Sequence, residues 1–259
     1  MSFTLVAVLL AVALFVGMLV SCEAGRRVGV RRLATDPDGL TKGAGAAEGA
    51  VFALLGLLLA FTFSGAASRF EDRKWFINGE ANAIGTAYLR IDLLPRETQA
   101  PLRDLFRRYL DVRATVYQGA HNQDDVIAAL AKGSALQTEI WKQAMDAMRL
   151  PGASPQATML LTPALNEMID ITSTRQMATR NHPPIVIFAL LAVLALVSAT
   201  LVGYGTAANK HRNWFHHVIF ALAISLAIYV IVDLEYPRLG LIKVDSADQA
   251  LVDVGASMR

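Results

Sequence analysis

Four long apolar runs alternate with more polar stretches along the chain. They cover residues 3–21, 47–67, 185–206 and 215–232. Within them, Glu48 is the one side chain with a formal charge at neutral pH. A helix that crosses a membrane needs roughly 20 apolar residues at a rise of 1.5 Å each. The pattern therefore predicts four transmembrane helices, paired as two hairpins over residues 1–67 and 183–233.

The segment between the hairpins carries spaced rather than continuous apolar side chains. They recur at helical intervals, as in Leu102, Leu105, Phe106 and Tyr109. Asn122 and Ser154 are typical helix caps, and Pro155 suits a first helical turn. No stretch alternates as a strand would. We predict an all-α fold. A helical extramembrane domain, residues 68–182, is inserted between the second and third spans, and the second span continues directly into it. Residues 234–259 form a C-terminal tail.

Composition agrees with a membrane protein and argues against several other classes. Apolar residues make up 54% of the chain and charged residues 18%, whereas soluble domains average about 45–50% and about 25%. A net charge of +2 gives no reason to expect nucleic acid as a partner. Neither a glycine-rich phosphate loop, nor a nucleophile elbow, nor a His-Glu-x-x-His motif occurs. We therefore predict no enzymatic activity, no cofactor and no metal site.

The single cysteine allows a second interpretation of the first apolar run. Residues Leu19–Cys22 resemble the cleavage site of a bacterial lipoprotein. A signal peptide, however, begins with positive charge and has a short apolar region. Here the first four residues carry no Lys or Arg, and the apolar run is as long as a full span. A retained transmembrane helix is the favoured interpretation.

The second apolar run divides into a face of small residues and a face of large ones. Gly49, Ala53, Gly56 and Ala60 form the small stripe. Small residues allow close helix packing, because lipid supplies no hydrophobic force between helices. The same stripe could instead face the axis of an oligomer and line a narrow, weakly hydrated throat that gates by dewetting. The candidate pore-lining residues are Gly49, Phe52, Ala53, Gly56, Leu57 and Ala60.

Two polar stripes are candidates for a wet vestibule. One consists of Asn78, Asn82 and Thr86, and the other of Ser225, Tyr229 and Asp233 with Glu235 beyond it. Polar groups in a span face the protein interior or a water-filled cavity. Each stripe has a simpler interpretation, namely a solvated helix face for the first and an interfacial acid near Arg238 for Asp233.

Three motifs resemble those of bestrophins. The runs Phe52–Phe61 and Ala67–Trp75 resemble the second membrane helix of bacterial bestrophins, which carries Phe-x-Leu-Leu-Gly and then a Tyr-Asp/Glu-x-Arg-type run. Glu235–Gly240 is similar to their Glu-Asn-Pro-Phe-Gly motif, with one extra residue. The run Glu80–Arg90 resembles that of an uncharacterised bestrophin-like family of bacterial membrane proteins, and this likeness extends over nearly the whole chain.

The resemblance implies an ion channel that assembles as a homopentamer in the bacterial inner membrane. Its partners would be the lipid bilayer, further copies of the chain and small ions. The pore would be lined by the second span, with a neck near Gly49, Ala53 and Leu57. Bestrophin necks use bulky Ile and Phe, so two small residues here are a departure from the family. The alternative is a non-conducting sensor or scaffold whose helical domain binds a ligand or partner.

The charge pattern and the resemblance predict opposite orientations. Short loops rich in Lys and Arg stay in the cytoplasm. Such residues occur in the first and last loops as Arg26, Arg27, Arg31, Arg32, Lys42, Lys210 and Arg212. This favours a helical domain outside the cytoplasm, whereas bestrophins keep theirs inside it.

Overall fold

A computed structural model describes residues 3–36, 44–116, 123–209 and 214–258. Asn122, Lys42, Lys210 and Arg212 lie outside the described residues. The described chain is helical and contains no strand. Its α-helices are α1 (Phe3–Thr35), α2 (Ala44–Leu89), α3 (Arg96–Thr115), α4 (Gln123–Met148), α5 (Pro155–Arg180), α6 (Ile185–Gly205), α7 (Trp214–Glu235) and α8 (Asp245–Ser257), and a 3-10 helix (Arg90–Leu93) precedes α3.

Four described segments are long and apolar enough to cross a membrane. They are Phe3–Thr35, Gly45–Leu93, Pro155–Gly205 and Trp214–Glu235, and they include the predicted spans in α1, α2, α6 and α7. Two of these helices extend at least 14 residues beyond the apolar runs within them. As predicted, α2 continues well beyond the second run and reaches 46 residues. Helix α1 likewise continues to Thr35, and Cys22 lies buried in its middle.

The chain divides into two units, and the division cuts through α2. The first unit comprises Met1–Phe70 and His182–Lys243, and the second comprises Glu71–Asn181 and Val244–Arg259. The C-terminal residues, expected only to form a tail, include α8, and this helix belongs to the second unit.

In the first unit, α1 packs closely against α6 through glycines. A Cβ at Gly203 would overlap the carbonyl group of Cys22, and a Cβ at Gly25 would overlap that of Thr200. Small side chains continue this contact, with Ala195 and Ala199 fully buried beside Met18. Close backbone approach through small residues is how membrane helices associate without a hydrophobic driving force.

In the second unit, α2, α3, α4 and α5 bury large side chains of the kind that the helical spacing predicts. Phe106, Tyr109, Ile140, Leu161 and Met168 are fully buried. Burial of such side chains stabilises a helical domain by about 1.5–3 kcal/mol for each.

The predicted start of α5 is confirmed. The hydroxyl of Ser154 accepts a hydrogen bond from the amide of Gln156 (3.2 Å), and Pro155 occupies the first turn. This arrangement satisfies a helix donor that would otherwise be free. Pro163 lies inside α5, which runs unbroken through it.

Candidate pore-lining face and buried ion pairs

The small stripe of α2 is exposed in the isolated chain. Gly49, Ala53, Gly56 and Ala60 all lie at the surface. A Cβ built at Gly49 or Gly56 meets no atom within 4 Å. A different side of the helix is packed, since Leu55 is buried and Ala66 contacts the cluster of Ile231 and Leu234. No described residue of the same chain therefore covers the small stripe.

The other candidate pore residues flank this stripe. Leu57 is exposed, and Phe52 is half-buried, with its ring in edge contact with Phe220 at 6.4 Å between centroids. Leu54 and Phe61 are also exposed, on the large face of the helix. α2 thus presents two exposed surfaces of different character, one bulky and one nearly smooth.

Beyond Phe70, exposed positions continue along α2 at intervals of three and four residues. Glu71, Trp75, Asn78 and Asn82 are all exposed, whereas Thr86 is half-buried. The Oε2 atom of Glu71 lies 3.1 Å from Nζ of Lys74. Apart from Trp75, the positions named here are polar, in contrast to the small apolar residues of the stripe at 49–60.

The second predicted polar stripe is largely buried within the first unit. The hydroxyl of Ser225 faces the sulfur of Met18 at 3.8 Å, and Tyr229 is half-buried. Asp233 accepts hydrogen bonds from the amides of Leu241 (3.0 Å) and Ile242 (2.7 Å). Its carboxylate thus organises the turn that follows α7.

That turn requires a glycine beside Asp233. A Cβ at Gly240 would overlap the carboxylate of Asp233. The amides of Leu241 and Ile242 can therefore reach the carboxylate only because residue 240 has no side chain. This explains the glycine that ends the bestrophin-like motif at residues 235–240.

Glu235 is fully buried and paired. Arg69 donates to it from Nε at 2.9 Å and also from Nη2. Nδ1 of His182 lies 3.6 Å from the same carboxylate, and the imidazole stacks on the Tyr236 ring with 4.5 Å between centroids. The pair links α2 to the end of α7 within the first unit.

A second buried network joins four helices of the second unit and was not predicted. Arg113 donates to Glu80 from Nε and, at 3.1 Å, from Nη2. Arg175 donates to Glu80 and, at 3.2 Å, to Asp248 of α8. All four side chains are buried. Two acids and two guanidinium groups balance each other in charge.

The network also shifts the pKa values of its members and neighbours. Burial acts to raise the pKa of Glu80, but the adjacent Arg113 and Arg175 outweigh it and hold the pKa below its ordinary value. Burial, together with the charge of Glu80, raises the pKa of Tyr109 to about 12. The Tyr109 hydroxyl lies 3.0 Å from that of Thr172 and accepts from Gln137 at 2.8 Å.

The described residues contain no group of three His, Cys, Asp or Glu side chains placed to hold a metal ion. The acids that the sequence singles out, Asp233 and Glu235, are instead occupied by amides and by a guanidinium group.

Comparison with known proteins identifies the family. The model of the bestrophin-like domain matches residues 12–249. The chain belongs to the bestrophin-like family. Bestrophin-like proteins are of channel type rather than enzymes. No curated protein sequence matches the chain.

Solved bestrophin structures share the fold of this bestrophin-like chain. One point variant of a bacterial bestrophin homolog from Klebsiella pneumoniae superposes with a TM-score of 0.67 at 14% identity, covering 94% of this chain and 99% of that one. Another variant of that homolog gives 0.68 at 13% identity, covering 93% and 99%. The bestrophin-like fold is thus retained at very low sequence identity.

Proposed function

We propose that this bestrophin-like chain assembles into a homo-oligomeric channel, with a pentamer favoured, that conducts small ions across the inner membrane of a bacterium. The small stripe of α2 would face the central axis, and residues 68–182 would form the helical domain outside the bilayer. Family membership and the exposed surface of α2 support this proposal.

The exposed small stripe is the observation that carries the proposal. Lipid-facing positions of a span are usually filled by large apolar side chains, as Leu54 and Phe61 are here. Gly56 and Ala53 expose little more than backbone, which favours contact with another helix or with a narrow aqueous axis. No described part of the chain covers them, so further copies are the natural source of that contact.

The chemistry of the stripe predicts a weakly hydrated throat. Residues 49–68 contain no ionisable side chain. An apolar constriction of this kind gates by losing water rather than by binding an ion. Asn78 and Asn82, exposed further along α2, would line a wetter vestibule on the side of the helical domain. We expect little charge selection from the throat itself.

Single-channel recording with a matched pair of variants tests the proposal. Ala53→Phe places a ring on the small stripe, and Leu54→Phe adds a ring to the neighbouring large face. We expect the first to lower unitary conductance at least several-fold, because five rings would fill a narrow throat, and the second to leave it unchanged.

Two results would contradict the proposal. Equal conductance in Ala53→Phe and in the wild-type chain would show that the small stripe does not line the pore. A wild-type chain that carries no current over a range of salts, although it is inserted in the bilayer, would support the non-conducting sensor or scaffold instead.

A further inference from the structure

Contacts within the first unit mark the level at which its apolar helices end. The hydroxyl of Thr206, just after α6, lies 3.2 Å from Nε2 of His217 in the first turn of α7. A Cβ at Gly29 of α1 would lie 2.9 Å from the carbonyl oxygen of Tyr204, in the last turn of α6. Gly29 is therefore level with the end of α6 and the start of α7.

Aromatic side chains mark the same level independently. Trp214 and Phe215, in the first turn of α7, are both exposed. Tryptophan is enriched at the boundary between the hydrocarbon core and water, where its ring is apolar and its N–H group remains wet. The end of α6 and the exposed tryptophan both place Gly29 in the headgroup region of the bilayer.

Arginines surround Gly29 on the exposed side of α1. Arg27, Arg31 and Arg32 are exposed, and the side chain of Arg27 is 70% accessible. At 1.5 Å per residue, all three lie within about 5 Å of Gly29 along the helix axis. The headgroup layer beyond the hydrocarbon core is about 5–8 Å thick on each side, so these guanidinium groups reach the depth of lipid phosphates.

The acids of this helix end do not neutralise the arginines. Residues 23–36 contain four Arg and two acids, Glu23 and Asp36. Glu23 contacts two of the arginines, Arg26 at 3.2 Å and Arg27 at 2.9 Å, and Asp36 lies 3.9 Å from Arg32. A positive excess thus remains on a surface that also exposes the apolar Val28.

We infer that this end of α1 is a binding surface for anionic phospholipids. Arg27, Arg31 and Arg32 contact the headgroup phosphates, while Val28 and Val30 contact the upper part of the acyl chains. Guanidinium groups suit this role, because they donate pairs of hydrogen bonds to phosphate oxygens and shed water easily. The inference depends on the position of α1 in a bilayer and not on ion conduction.

Native mass spectrometry of the full chain in mild detergent tests the inference, with phosphatidylglycerol as the probe and phosphatidylcholine as the neutral comparison. The test variant replaces Arg27, Arg31 and Arg32 by Gln. Each arginine lost near an anionic surface weakens binding about fivefold. We expect the triple variant to bind phosphatidylglycerol at least about tenfold more weakly and phosphatidylcholine equally well.

A matched control removes three exposed arginines from α3, by Arg96→Gln, Arg107→Gln and Arg108→Gln. It is expected to bind phosphatidylglycerol like the wild-type chain. A second variant, Arg27→Lys with Arg31→Lys and Arg32→Lys, keeps the charge and is expected to retain most of the binding. This variant also helps to distinguish a loss of lipid contact from a loss of folded structure. Thermal unfolding of each variant measures the folded structure directly.

Three results would overturn the inference. The Gln variant of α1 could bind phosphatidylglycerol as tightly as the wild-type chain does. The α3 control could lose as much affinity as the α1 variant, in which case net charge alone would explain the effect. Inorganic phosphate could displace the lipid at equal concentration, in which case the surface would bind free anions and not lipids.

Discussion

Replacing Glu80 by Gln tests the buried network of the second unit. The change keeps the shape of the side chain but removes the negative charge that faces Arg113 and Arg175. Both guanidinium groups are only 3% exposed, so water cannot take the place of the lost carboxylate. Removing one partner of a buried ion pair costs about 3–5 kcal/mol. Asp248 still balances Arg175, which keeps the expected cost of Glu80→Gln within that range.

Thermal unfolding in detergent, followed by tryptophan fluorescence, measures this loss. For a chain of this size, 1 kcal/mol corresponds to roughly 2–4 °C in Tm, so Glu80→Gln is expected to lower Tm by about 10 °C. Glu71→Gln is the control, because it removes an acid from the exposed pair with Lys74. Exposed pairs contribute about 0–1 kcal/mol, and the control should therefore shift Tm by at most about 3 °C.

The dependence on pH gives a second check on the same residue. The pKa of Glu80 is lower in the folded chain than in the unfolded one, so its contribution to stability is complete above the unfolded pKa, about 4.3. The contribution is lost as pH falls through the folded pKa. The difference in Tm between the wild-type chain and Glu80→Gln should be constant from about pH 5.5 to 8 and shrink below about pH 4. Equal Tm values for the two at neutral pH would refute the stabilising role of the network.

Three further predictions concern the contact of α1 with α6, the turn after α7, and the orientation of the helical domain. Gly203→Ala should destabilise the first unit, because its Cβ would overlap the Cys22 carbonyl group. The control Gly45→Ala, whose Cβ meets no atom within 4 Å and which lies outside the small stripe, should not lower Tm. Equal losses of Tm in the two variants would be incompatible with the close contact of α1 and α6. Asp233→Ala should lower the free energy of unfolding by about 1–3 kcal/mol, because the amides of Leu241 and Ile242 lose their hydrogen-bond acceptor. An unchanged midpoint of denaturant unfolding would contradict the role of Asp233 in the turn. Cysteines can be introduced one at a time at Asp124 and Asn209 in a Cys22→Ser chain. A membrane-impermeant thiol reagent added outside the cell should label position 124 and not position 209, as the charge of the short loops predicts. Labelling at 209 alone would show the opposite orientation.

Sequence reasoning found the elements of the fold that depend on local pattern. The apolar runs predicted the four apolar helices, and Ser154 with Pro155 predicted the start of α5. Both signals are local, because the cap lies within one helical turn and each apolar run lies within a single helix, over about five to six turns. The continuation of α2 beyond the second span was also predicted, and no proline interrupts the chain between that span and Leu89.

The buried charges were missed for a physical reason. Glu80, Arg113, Arg175 and Asp248 lie on four different helices, and no interval along the sequence relates them. Each one alone has the appearance of an ordinary surface charge. α8 was also missed, although its 13 residues are amphipathic and bury Ala247 and Leu251. A signal existed in the position of Glu80, which is flanked by the small and apolar residues of its helix.

The small stripe of α2 was predictable from the sequence only in part. Its spacing was visible in the sequence, and the structure adds that Gly49 and Gly56 have no neighbour among the described residues of their own chain. Sequence alone allows packing within the chain or between chains. The exposed surface of Ala53 and Ala60 favours the second, and this is the step on which the proposed channel depends.

The mass of the intact assembly in mild detergent tests that step most directly. Native mass spectrometry should find five copies of the 28.0 kDa chain, about 140 kDa before bound lipid. A particle of that size would supply the neighbouring helices that the small stripe of α2 lacks. A monomer or dimer, in a preparation that remains folded, would contradict the account, because too few copies would then be present to surround a central pore lined by α2.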